Sequence, residues 1–274
     1  MNWRFMITAS GGLVYHARAA RSLIKCFNPD GSWNPTRRRV SSWVRDWVES
    51  HSFKTLILVG PSAAYLIDDN IWSEIQQVVV IEPDRLAKWI FKLRFPGWAG
   101  ADRTRPRRMD WIHRSDLLPY FSRETDEFSM FLKNYDPQTT GVLFFGCLGQ
   151  MAFHEKDYLR TEAEARSLLL EATRRFSTAS LHDLYSVTVP ALSASTAREI
   201  AELDLHLPES EYSPRTVQEL IGRLSDQFFG QLSDLPAPLV WTDHVTYWLG
   251  RPRTICPWIL TSEQIHILGF VTRS

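Results

Sequence analysis

Cysteine is scarce. Cys26, Cys147 and Cys256 are the only three in 274 residues, and no two stand at Cys-x-x-Cys spacing. That argues against a disulfide framework or a zinc site and fits a reducing compartment. No apolar run approaches the roughly 18 residues a membrane helix needs. The first residues, with a weak apolar stretch cut by Gly11-Gly12, do not read as a cleaved signal, so the expected location is cytoplasmic. Neither sign of charge is in excess, since Lys plus Arg and Asp plus Glu are both 31. No global field therefore recruits nucleic acid or a membrane surface, although local basic patches remain open. The Gly-x-x-x-x-Gly-Lys-Ser/Thr phosphate loop, the Gly-x-Ser-x-Gly elbow and internal repeats are all missing.

What is there is globular. The chain is 44% hydrophobic and 23% charged, enough for a substantial core in one large α/β domain or two small ones. Its most informative stretch runs from Thr55 to Asp84. The apolar run Leu56-Ile57-Leu58-Val59 breaks at Gly60-Pro61-Ser62-Ala63-Ala64, and a second run, Val78-Val79-Val80-Ile81, ends on Glu82. Short branched runs bounded by turn residues predict buried parallel strands. The small residues after the first run let a loop pass close to a ligand before a helix begins. An acid about twenty residues further on, at the tip of the next strand, suits a ribose hydroxyl. The unit fits an adenosine-containing ligand, and its plain alternative is an ordinary α/β unit whose Glu82 merely ends a strand.

Residues 55–84 resemble the first two motifs of class I S-adenosylmethionine-dependent methyltransferases. The pattern there is an acid, then Gly-x-Gly-x-Gly, then a strand ending in Glu or Asp. This chain holds Leu58 at the acid position and keeps only Gly60 of the three glycines, with Ser62 and Ala64 at the other two. The resemblance implies a Rossmann-like α/β fold: a seven-strand sheet, mostly parallel with an antiparallel last strand, and helices on both faces. It implies S-adenosylmethionine as cofactor, with Gly60, Pro61, Ser62 and Ala64 shaping the methionine side of the pocket and Glu82 holding the ribose. It covers roughly residues 36–186 and 238–272.

Before this unit, residues 1–54 read as a helical preface, with helices over Val14 to Lys25 and Ser41 to Glu49. Arg37-Arg38-Arg39 reads as a solvated turn ahead of the second. After Glu82, Asp84 to Phe95 predicts a helix with Leu86, Ile90 and Leu93 on one face, stopped by Pro96-Gly97. The loop ending at Arg103-Thr104-Arg105-Pro106-Arg107-Arg108 is a candidate RNA or phosphate contact, set against the commoner solvated arginine loop. Met109 to His113 predicts a third strand. Asp116 beyond it either accepts the adenine amino group, as the resemblance implies, or caps the following turn.

Phe121 to Leu132 predicts a helix and Gly141 to Phe145 a fourth strand, ending in Gly146-Cys147-Leu148-Gly149-Gln150. Ligands in open α/β sheets bind at such carboxyl ends, so Gly146 and Gln150 are placed at the substrate, while Cys147 reads as structural. His154 to Arg175 predicts the next helix. Thr178 to Leu181 predicts a fifth strand with His182-Asp183 at its tip, either a general base with its acid or a structural pair. Residues 188–237 read as an insertion or lid. Leu239 to Thr242 and Ile265 to Val271 read as a final strand pair within 238–274. Asp243-His244 repeats the Asp/His pairing without a third ligand, so no metal is expected.

The catalytic candidates are thus His182, Asp183 and Gln150. The cofactor candidates are Gly60, Pro61, Ser62, Ala64, Glu82, Asp116 and Gly146. The reading is methyl transfer to a small-molecule or RNA acceptor. Three others compete: a catalytically inactive methyltransferase-like binding protein, a nucleic-acid binder using Arg103 to Arg108, and a nicotinamide-dependent oxidoreductase, whose ribose Glu82 would suit equally. No Gly-x-Gly-x-x-Gly fingerprint supports the last.

Overall fold

The computed structural model describes residues 33–72, 75–95, 108–113, 127–146, 162–189, 191–203, 219, 240–241, 254–261 and 263–273. The expected helix over Val14 to Lys25 lies outside them.

The apolar runs become strands as their branched residues predict. β1 (Thr55–Val59), β2 (Gln77–Ile81), β3 (Arg108–Ile112), β4 (Thr140–Phe145) and β5 (Ser177–Thr188) pair in parallel, in the order β3-β2-β1-β4-β5. β8 (Gln264–Arg273) then joins antiparallel to β5, and β7 (Thr254–Thr261) closes the edge antiparallel to β8. The result is the expected Rossmann-like sheet, with seven strands on its path and an antiparallel last strand inserted between the fifth and sixth. The two-residue β6 (Val240–Trp241) pairs with β5 off that path. Of the expected sixth strand at Leu239 to Thr242, the described residues are Val240 and Trp241, which pair with β5, while the next strand on the sheet's main path is Thr254–Thr261.

Strand alternation sorts the core into two layers. Leu56, Leu58, Val78 and Val80 face one layer, which includes Val40, Val44, Trp47 and Val48 of α1 (Trp33–His51). Ile57, Val59, Val79 and Ile81 face the other, which includes Phe128 and Leu132 of α3 (Glu127–Leu132) and Leu169 of α4 (Glu162–Ala172). Being buried on both faces is why these strands read as unbroken apolar runs. Gly141 is required by the first layer, because a Cβ there would sit 2.7 Å from the Phe53 ring and 2.9 Å from the Trp47 ring.

Three elements differ from the sequence expectation. α1 starts at Trp33, so Arg37-Arg38-Arg39 is helical rather than a preceding turn. Pro35 is tolerated because the first-turn N–H groups have no intrahelical acceptor. Arg37 Nε lies 2.8 Å from Asp68 Oδ1, and Arg39 donates to the carbonyls of Ala201 and Glu202 at the end of α5 (Ala194–Glu202). Those carbonyls lack intrahelical partners, so Arg39 serves as a C-terminal cap. β1 is followed by turns and a single 3₁₀ turn, Asp69–Trp72, in place of the expected helix. In α2 (Arg85–Arg94) the packed residues are Ala87 and Phe91, while Leu86 and Leu93 turn outward.

Candidate functional site at the carboxyl edge of the sheet

The chain runs from β1 outward through β2 to β3, then returns to the other side of β1 for β4. The sheet's switch point thus lies between β1 and β4, and the crevice beyond their carboxyl ends is where open α/β sheets bind ligands. Gly60 leaves β1 and Gly146 leaves β4 at this place.

The loop after β1 has an unusual backbone. Gly60, Ser62 and Ala64 all have positive φ, at 67°, 52° and 52°. Glycine adopts this region freely, whereas Ser and Ala sit there at a cost of about 1–2 kcal/mol each. The residues at the second and third glycine positions of the resembled motif therefore keep a glycine-like backbone. Pro61 opens a turn closed by Ala64 N–H donating to Pro61 C=O at 2.8 Å, and Ile67 N–H donates to Ala64 C=O in the next turn.

Two helices hold this loop. From α2, Arg94 donates to the carbonyls of Ala63 (2.6 Å), Tyr65 (3.4 Å) and Ile67 (3.0 Å), with its guanidinium 5.3 Å from the Tyr65 ring centre. From α1, the Ser41 hydroxyl accepts from Asp68 N–H at 2.8 Å, beside the Arg37–Asp68 ion pair. A buried carbonyl needs a donor, and the loop makes few of its own. Arg94 is the largest contributor to the site that the sequence reading missed. An arginine in a last helical turn looks like ordinary dipole compensation, and nothing in its spacing reports the loop it reaches.

Glu82 follows β2 and is only 8% exposed. One carboxylate oxygen accepts from Ser62 N–H at 2.8 Å and the other from Asp84 N–H at 3.0 Å. Burial pushes its pKa up to about 7, against the opposing pull of those two N–H groups. Each oxygen retains acceptor capacity beyond its single backbone bond, so the group can still receive hydroxyl donors. Asp84 caps α2 by accepting from Leu86 N–H, and His113 Nδ1 at the end of β3 lies 3.1 Å from the Glu82 carbonyl.

On the far side of the switch point, Gly146 has φ 71° and donates to Leu181 C=O at 2.7 Å. A Cβ at Gly146 would meet no described atom within 4 Å. The register that pairs Phe145 with Leu181 puts Gly146 beside His182. His182 is not at a strand tip, however, because β5 continues to Thr188 and pairs with β8 beyond the end of β4. It is 1% exposed, in a column with buried Thr178 and Ser180.

Asp183, its neighbour in sequence, faces the opposite side of the strand. Its carboxylate lies 3.1 Å from His266 Nδ1 on β8. The Asp/His pair at this place is therefore Asp183–His266, not His182–Asp183. Asp116, Cys147, Gln150, Asp243, His244 and Arg103 to Arg107 lie outside the described residues. Arg108 opens β3 and pairs with Asp110 at 2.9 Å. Among the described residues no group of three or more His, Cys, Asp or Glu is placed to hold a metal, and no helix is long and apolar enough to cross a membrane.

No protein-family model matches the chain, and neither does any curated protein. Solved structures of similar shape are distant. Magnesium protoporphyrin IX methyltransferase from Synechocystis with bound SAH has 9% identity and a TM-score of 0.47, over 99% of this chain and 100% of its own. The N-methyltransferase NodS from Bradyrhizobium japonicum has 9% identity and a TM-score of 0.40, over 88% and 97%. The methyltransferase domain of bacterial CtHen1 has 11% identity and a TM-score of 0.38, over 85% and 98%. The fold rests on the strand order itself. It is a Rossmann-like α/β fold with an antiparallel strand inserted next to its edge.

Proposed function

We propose that the chain binds S-adenosylmethionine at the β1–β4 switch point and transfers its methyl group to a small-molecule or RNA acceptor. The observation that carries this reading is the buried Glu82 carboxylate at the tip of β2, bonded to the N–H of a loop with left-handed backbone at Gly60, Ser62 and Ala64. A vicinal diol fits the remaining acceptor capacity of that carboxylate, and the turned loop brings backbone rather than side chains toward the ligand.

In this reading Glu82 accepts the ribose hydroxyls, and Gly60, Pro61, Ser62 and Ala64 curve around the methionine portion. Asp116 accepts from the adenine amino group. The cofactor would supply an electrophilic methyl carbon on a sulfonium centre, chemistry that depends more on orientation than on acid–base help. Gly146 leaves room for the acceptor, and Gln150 orients it. His182, beside Gly146 in register, takes a proton where the acceptor must lose one, while Asp183, on the other face and paired with His266, takes no part in that step.

One observation favours a second reading, a binding protein without catalysis. Residues Ala63 to Ile67 are buried and Arg94 fixes three of their carbonyls, so the loop is a rigid part of the core in its own right. Calorimetric titration with S-adenosylhomocysteine, with NAD as control and Glu82→Ala as variant, separates the readings. Micromolar binding of the homocysteine, lost in the variant, supports the cofactor site. Preference for NAD favours the oxidoreductase, and no binding to the folded protein leaves the scaffold.

A further inference from the structure

Outside the switch point, the outward face of α2 forms a second concave feature. Arg85, Lys88, Trp89 and Lys92, spread over about two turns of one helix face, line a cleft of about 340 Å³ together with His113 from the end of β3. The inner side of the same helix is fixed by buried Ala87 and Phe91, so these side chains sit on a rigid support. Trp89 is 69% exposed and Leu93 81% exposed, which places a large apolar surface beside the cations. Among the described residues, no carboxylate lies within ion-pair distance of Arg85, Lys88 or Lys92. The chain is neutral as a whole, yet from 85 to 108 it carries eight Lys and Arg and a single acid, Asp102.

Cations without counter-charges next to an exposed indole match an anionic chain with flat, stackable groups. The cations would meet phosphates, and Trp89 would carry a base. A membrane surface fits less well, because a planar headgroup layer does not enter a cleft whose wall holds the charges. We propose that the α2 face and His113 form a binding site for single-stranded nucleic acid, with Lys88, Lys92 and Arg85 on the backbone and Trp89 as the stacking platform. The site stands whether or not the chain transfers a methyl group.

The test is fluorescence anisotropy with labelled oligouridylate and oligoadenylate 12-mers, without cofactor, across a salt series. Wild-type protein binds the strands at low salt. Trp89→Ala weakens binding about tenfold and Trp89→Phe restores most of it. Lys88→Gln with Lys92→Gln flattens the log–log salt dependence by about 1.4, the value for two lost phosphate contacts on a single strand. All these side chains are at the surface, so the melting curves of the variants match the wild type. Failure of the wild type to bind either strand overturns the proposal, as does binding that ignores Trp89→Ala. Phosphatidylserine vesicles that bind while the oligonucleotides do not overturn it in favour of a membrane surface.

Discussion

Glu82 is the residue on which pH acts. Its folded pKa is raised from 4.5 to about 7, so the folded state favours the protonated acid. The stability this group contributes is fully present below about 4.5 and is lost as pH rises to about 7, by about 3 kcal/mol. Glu82→Gln removes that dependence, which melting temperatures measured from pH 5 to 8 will register. Ribose hydroxyls donate best to the ionised form, so affinity for S-adenosylhomocysteine rises as pH climbs toward about 7 and then levels, with a proton released on binding. Calorimetry in buffers of different ionisation enthalpy reads that proton directly. Beside it, Ser62→Gly relieves a left-handed residue and is expected to stabilise by up to about 1 kcal/mol. Ala64→Gly comes out nearer neutral, because its buried methyl is lost as the backbone relaxes. Denaturant midpoints distinguish the two.

Among the elements, the loop after β1 depends on α2. Arg94→Ala leaves three carbonyls without their donor and is expected to destabilise by about 3 kcal/mol while abolishing ligand binding. Chemical denaturation followed by titration of the folded fraction checks both. Gly141→Ala pushes a methyl into Phe53 and Trp47 and costs about 1–3 kcal/mol with no direct effect on the crevice. Strands β1, β2 and β4 were legible in the sequence, since burial on both faces leaves continuous apolar runs between turn residues. β7 was hidden because Pro257 interrupts an otherwise strand-like run, although an edge strand accommodates proline. Adjacency in sequence makes His182 and Asp183 look like a pair, catalytic or structural. The period of a strand separates them, and the true partner, His266, is a cross-strand neighbour that no local pattern reveals. The outward turn of Leu86 and Leu93 was equally concealed, since helical spacing defines a face without saying what it meets.

For the whole molecule, β8 ties the parallel sheet to its far edge. It is inserted between β5 and β7, so removing residues 264–274 would part β7 from the sheet and expose β5. Loss of a cooperative thermal transition in that truncated chain is the expected outcome, measured by far-UV circular dichroism. Cys256 reports on the same region. It is fully buried on β7 with its thiol pushed up to about 12 by desolvation, so it should resist thiol reagents until the sheet opens.

Pro257 is buried on β7, the strand at the edge of the described sheet. Its ring removes one N–H from that rim, and its carbonyl is already engaged by the Thr36 hydroxyl at 2.8 Å. An edge lacking a donor and an acceptor at its midpoint is a poor template for another chain's backbone. The same proline that disguised the strand thus makes β7 a poor seam for joining the sheets of two copies.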